Sequence, residues 1–160
     1  MKMKEKGLLY LGVGLCALFL ELFVVSINLN ALNVFTYLLS VGLLPAIILF
    51  VTSLLYSLNA KTTKKIKYIV AVMLAFVFSV IMLVFCANMI TTELIDIIIS
   101  NSITADTTQV SMSTASAGDN IQSILLFVAF SGLGVFVGNR IRTSKHKKDK
   151  NFCQKDEYDD

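Results

Sequence analysis

The sequence predicts an all-α integral membrane protein, a bundle of four helices with both termini cytoplasmic and a longer outer loop between the third and fourth helices. Three observations carry this expectation. The chain is 56% hydrophobic and only 16% charged, with a mean hydropathy of +0.74, whereas a soluble domain is about half apolar and about a quarter charged. Its apolar residues gather into runs of roughly 20 or more, the length that crosses about 30 Å of hydrocarbon at about 1.5 Å per residue. All 14 lysines and arginines fall on one side of a four-span arrangement. This composition excludes a soluble enzyme and a secreted disulfide scaffold. The net charge of +3 is explained by topology rather than by a nucleic-acid partner.

The first span, 7–29, follows a lysine-rich start and is apolar except for Glu21. It is too long for a secretory signal, lacks a good small-x-small cleavage site, and is read as a retained helix. The second, 31–58, is interrupted only by Pro45, which cannot donate to the carbonyl of Val41 and predicts a kink near Gly42. Asn28, Asn30 and Asn33 mark a tight turn between these two helices. The third span covers 68–90 and the fourth 121–138, so that 1–139 forms the transmembrane domain. None of the four carries the charged face of a surface helix in water.

Lys2, Lys4 and Lys6 precede the first span, Lys61, Lys64, Lys65 and Lys67 join the second to the third, and the remaining basic residues follow the fourth. The positive-inside rule makes that side cytoplasmic. The outer connection carries Glu93, Asp96, Asp106 and Asp119 and no basic residue. Its first part, 93–103, is isoleucine-rich and reads either as a prolongation of the third helix or as an amphipathic segment on the outer interface. The stretch 104–120 reads as a surface linker, and 140–160 as a charged, disordered cytoplasmic tail. Arg140, Arg142, Lys145, Lys147 and Lys148 are placed to contact anionic lipid headgroups, at about 1 kcal/mol for each basic residue near the surface.

Small residues mark the faces where helices approach: Gly14 and Ala17 on the first span, Ala71 and Ala75 on the third, Gly134 and Gly138 on the fourth. The last pair serves a contact either within the chain or between copies. Counting inward from the outer ends places Glu21, Ser40, Ser79 and Ser131 within about one turn of a common depth. In one reading this layer holds a proton or small cation, drawn in by the acidic outer loop. In the other, a protonated Glu21 donates a hydrogen bond that helps hold the bundle together.

Catalytic chemistry is not indicated. His146 is the single histidine, no metal quartet or phosphate-cradling glycine loop occurs, and the intramembrane serines have no base at their depth. No metal and no cofactor are expected. Cys16, Cys86 and Cys153 lie at depths too different for a disulfide.

Glu21 within Leu20, Glu21 and Leu22 resembles the small multidrug transporters, four-helix proteins with a single membrane glutamate in the first helix. The chain departs from them in having no tryptophan, a long outer loop, a basic tail and greater length. The functional expectation is a multi-pass membrane protein that acts through protein partners, as a subunit, accessory, immunity or assembly factor. The alternative is an oligomeric transporter or channel that uses Glu21 as a proton or cation site. The partners expected are the lipid bilayer and either another membrane protein or further copies of the chain, without nucleic acid. The lysine-biased, isoleucine-rich composition points to a bacterial cytoplasmic membrane.

Overall fold

In a computed structural model, the backbone is described for residues 3–102 and 117–155 and the side chains for 7–102 and 122–144. Every regular element among the described residues is helical. In chain order these are α1 (Met3–Asn28), a 3-10 turn (Leu29–Ala31), α2 (Val34–Tyr37), a π-helical segment (Leu38–Leu43), α3 (Leu44–Asn59), α4 (Lys64–Met89), α5 (Thr92–Ser100) and α6 (Ala117–Lys155). Four helical stretches are long and apolar enough to span a membrane: Gly7–Ala31, Val34–Asn59, Lys64–Met89 and Gln122–Ser144. They correspond to the four runs in the sequence, with ends displaced by a few residues.

The most extensive pairing in the bundle joins two helices that are not consecutive spans, α3 and α6. α6 packs along both α3 and α4, α1 packs mainly on α3, and α3 and α4 touch each other only sparsely despite their short connection. The short 60–63 link therefore holds the two helices close at one end, while α6 occupies the space between them. An apolar core runs through the middle of the bundle, with Leu18 and Leu22 from α1, Leu49 from α3, Leu74, Phe78 and Met82 from α4, and Phe127 from α6.

A second, smaller core closes the end opposite the lysines. It joins Val25, Leu32, Leu94 and Ile98. The backbone leaves α4 after Met89 and restarts at α5, whose N-terminus is capped by the Thr91 hydroxyl accepting from the Leu94 amide at 3.3 Å. α5 is thus a separate amphipathic helix and not a prolongation of α4. It buries Leu94 and Ile98 at a spacing of four. Asn101 Nδ2 donates to the carbonyls of Asn30 and Leu32, both at 3.0 Å, and the Val34 amide donates to Ser102 Oγ at 2.8 Å. Asn33 and Thr36 form a reciprocal capping box that starts α2. The asparagines of the turn thus satisfy backbone groups as well as reverse the chain.

Pro45 is met by a change of helix type within the second span. It lies in the first turn of α3, directly after the π-helical segment, and it is fully buried. The Leu44 amide donates to the Leu39 carbonyl, five residues back. Widening the helix by one residue per turn accommodates a proline that has no N–H and whose ring would clash with the carbonyl four residues earlier. Gly42, within this segment, has open space where a side chain would stand.

α6 continues to Lys155, so the backbone of 140–155 is helical where composition alone reads a disordered tail. Lysine, arginine and glutamine are good helix formers, and a helix already nucleated in the bundle extends at little cost. The linker read over 104–120 lies largely outside the described residues, as do residues 156–160 and the side chains of Lys145, Lys147 and Lys148.

Candidate functional site

The interior is organised around three close contacts. A Cβ at Gly134 would stand 2.5 Å from the Phe50 carbonyl oxygen and 3.0 Å from Ser53 Cβ, and one at Gly138 would stand 2.8 Å from Ser57 Cβ and 3.0 Å from the Leu54 carbonyl oxygen. The glycine pair of α6 therefore lies directly on the backbone of α3, a contact within the chain. Gly14 of α1 meets the side chain of Thr52 in the same manner, so α3 receives a helix on each of two sides. Ala71 and Ala75 are buried on α4, while Ala17 is half-buried on α1. In lipid, where apolar burial gives no advantage between helices, such contacts supply the association energy.

Hydrogen bonds reinforce α6. Ser131 is fully buried, and its Oγ lies 2.8 Å from the Ala71 carbonyl and 2.7 Å from Ser53 Oγ. A hydroxyl has one proton to give. Ser131 donates to the carbonyl, which can only accept, and so receives the Ser53 proton. One residue thereby links α6 to both α3 and α4. Ser79, by contrast, donates at 2.8 Å to Ala75 on its own helix. Ser40 is half-buried in the π-helical segment. No hydrogen bond joins any two of Glu21, Ser40, Ser79 and Ser131 among the described residues. They share a depth in the sequence reading but face different neighbours.

Glu21 differs from the serines. Both of its carboxylate oxygens are enclosed by protein, and neither has a hydrogen-bond partner among the described residues. Leu18 and Leu22, to either side of it on α1, belong to the apolar core. An enclosed carboxyl without a donor is costly until a proton, a cation or a partner group meets it.

A second polar cluster, which the sequence reading did not single out, occupies the lysine-rich end. Ser57 Oγ lies 3.1 Å from the Val135 carbonyl and 3.2 Å from Asn139 Oδ1. Lys67 is only 2% exposed. Its ammonium donates to the Ser57 carbonyl and, at 3.3 Å, to Asn139 Oδ1. Arg142 turns inward and donates to the Ala60 carbonyl at 2.7 Å. It therefore braces the end of α3, whereas Arg140 lies exposed with its guanidinium 5.9 Å from the centre of the Phe136 ring. The signal available in the sequence was the pair Ser53 and Ser57, four apart on α3 and matching Gly134 and Gly138 on α6. Lys67 was read only as a topological charge.

Cys16 and Cys86 are free thiols. Among the described residues, no three His, Cys, Asp or Glu side chains gather as a metal site. The geometry defines a helical bundle able to span a membrane, in which buried serines join helices and the Glu21 carboxyl is unmatched among the described residues. Comparisons with protein-family models, with curated proteins and with solved structures find no match.

Proposed function

We propose that this chain is a small multi-pass membrane protein that acts through protein partners, as a subunit, accessory, immunity or assembly factor without catalysis of its own. In this reading both termini and the lysine-rich end face the cytoplasm, and the host membrane is a bacterial cytoplasmic membrane. The distribution of all 14 basic residues supports the orientation.

The observation that carries the reading is the length of α6. Its 39 residues extend about 58 Å at the helical rise, against about 30 Å of hydrocarbon. The helices that pack on it end at Asn59 and begin at Lys64, level with Asn139 and Arg142. Beyond Ser144, α6 continues for 11 residues that include five lysines. This extension lies beyond the last apolar span, and a protein partner would supply a surface for it to meet.

The test compares the full chain with one ending at Ser144, each crosslinked in native membranes and purified. A stoichiometric partner retained by the full chain and lost from the shortened one, with insertion unchanged, is the expected outcome. Recovery of the same partner with both chains places the contact on the spans instead of the α6 extension, and recovery of the chain alone or only with itself removes the reading.

A second reading has one specific observation in its favour, the enclosed and unpartnered carboxyl of Glu21. It makes the protein an oligomeric transporter or channel in which Glu21 takes up a proton or small cation. Reconstituted vesicles decide it: proton-coupled flux must fall in Glu21→Gln, and flux that survives unchanged rules this residue out as the site.

A further inference from the structure

The lysine-rich end contains a pocket of about 300 Å³ between the 60–63 link, the start of α4 and α6, lined by Lys61, Thr62, Lys64, Lys67, Asn139, Arg142 and Thr143. This is the lower end of the range for small-ligand sites, about 300–1,000 Å³. The geometry points to a binding site for a phosphate group, either free or carried by a lipid headgroup, held by Lys67 and Arg142 at its base and by Lys61 and Lys64 at its mouth.

Four independent features converge on an anion. First, four of the seven described lining residues are cationic and none of these seven is acidic. Of the acids whose side chains are described, Glu21 lies well along α1 from this end, and Glu93 and Asp96 lie at the opposite end of the bundle, separated from the pocket by the length of α4, about 39 Å for its 26 residues. Second, Lys67 is almost wholly buried beside Arg142, and no described carboxylate pairs with either. Buried charges are normally paired, because desolvation otherwise goes uncompensated.

Third, two enclosed polar atoms in the lining, Thr62 Oγ1 and Asn139 Nδ2, have no hydrogen-bond partner among the described residues. Both can donate, as an anion requires. Fourth, α4 begins with its charges reversed. A helix N-terminus favours negative charge, yet the first turn contains Lys64, Lys65 and Lys67 and no acid, and the Thr63 side chain makes no capping bond. An anion in the pocket would meet the free amides of this turn and the lysines together.

Lys67 and Arg142 also cap the last carbonyls of α3, but that role leaves donors unused. An ammonium has three and a guanidinium five, of which, among the described residues, Lys67 uses two and Arg142 one. The remaining guanidinium edge suits the oxygens of a phosphate, which arginine binds through paired hydrogen bonds. The pocket lies where the spans end, so a phosphate could reach it from solution or from the headgroup layer.

The experiment uses the full chain in zwitterionic phosphatidylcholine nanodiscs. Inorganic phosphate, at constant ionic strength set with sodium chloride, is one arm. Discs containing phosphatidylglycerol, and others containing phosphatidic acid, are the second. Thermal midpoint and lipid retention in native mass spectrometry are read for the parent chain, for Arg142→Gln, for Lys61→Gln/Lys64→Gln, and for a tail variant with Lys145, Lys147 and Lys148 changed to Gln.

Stabilisation in either arm is expected for the parent and the tail variant. Arg142→Gln should weaken apparent affinity about tenfold, the effect of losing a charge-assisted hydrogen bond. The double lysine variant, altered only at exposed side chains, should weaken it without loss of the fold. Stabilisation by inorganic phosphate identifies a free phosphate ligand, and stabilisation by anionic lipid alone identifies a headgroup. No stabilisation by any probe, equal stabilisation of parent and pocket variants, or loss confined to the tail variant each overturns the site.

Discussion

The α3–α6 interface and the α1–α3 interface are both built on glycine, yet they hold in different ways. At α6 the glycines meet backbone atoms of α3, and hydrogen bonds from Ser53, Ser57 and Ser131 cross between helices. At α1 the glycines meet side chains: Gly14 meets Thr52, whose own hydroxyl is committed to the Ile48 carbonyl, and a Cβ at Gly7 would stand 3.3 Å from the Tyr56 ring and 3.4 Å from Ala60 Cβ. No described side chain of α1 hydrogen-bonds another helix; Ser26 and Asn28 return to their own backbone. Within one bundle, α6 is fixed by backbone contacts and hydrogen bonds, and α1 by side-chain packing that can adjust. The unpartnered carboxyl lies on the helix held less tightly.

The largest expected effect comes from filling the rigid contact. Gly134→Val should cost about 3 kcal/mol, the upper part of the range for overpacking, because the Phe50 carbonyl cannot move without distorting α3. Detergent-titration unfolding measures it, with Gly132→Val as the matched control, since Gly132 has open space around it. Equal losses in the two variants would mean that α6 does not pack on α3 through this face.

Gly14→Val should cost less, about 1.5 kcal/mol, because the obstructing group is the Thr52 side chain, with its Cβ at 2.9 Å. Shortening that side chain makes room, so Gly14→Val/Thr52→Ala should recover part of the loss. A double variant no better than the single one contradicts the proposed pairing of α1 with α3. The hydroxyl bonds come next. Ser131→Ala removes links to two helices and should cost about 1 kcal/mol, given that interhelical bonds in membranes average about 0.6.

Glu21→Leu has the opposite sign. Removing an enclosed, unsatisfied carboxyl should stabilise the isolated protein by about 1 kcal/mol, and destabilisation would reveal that the carboxyl has a partner. Ser79→Ala is the smallest, below about 0.5 kcal/mol, because its bond stays within α4 and crosses no interface. A loss as large as that of Ser131→Ala would show that Ser79 also joins helices.

The spans were legible because transfer from water to lipid depends on composition over about 20 residues, which a sequence displays directly. The positions of Gly14, Ala71, Ala75, Gly134 and Gly138 were legible for a related reason: small residues at helical spacing mark where backbones can approach. Which helix approaches was not, because a small stripe fits any partner, and only the assembled bundle places α6 between α3 and α4. The polar layer shows the same gap. Depth follows from residue number, but the direction a side chain faces depends on helix rotation, and that directs Ser131 to α3 and α4 and Ser79 to its own backbone. Lys67 escaped notice because a lysine at a span boundary has the same appearance whether it reaches outward to water or folds under α6 onto the end of α3.

The π-helical segment Leu38–Leu43 is equivalent to one residue inserted into an otherwise regular α-helix. An insertion turns everything beyond it by about 100° relative to the part before. The segment therefore acts as a phase shift within a single span. Below it, α3 presents its faces to α1 and α6; above it, α2 presents Val34 and Tyr37 to the separate core formed with α5. Deleting one residue here would leave a smoother helix whose two halves could no longer face both sets of neighbours, so in this stretch chain length is under tighter constraint than side-chain identity.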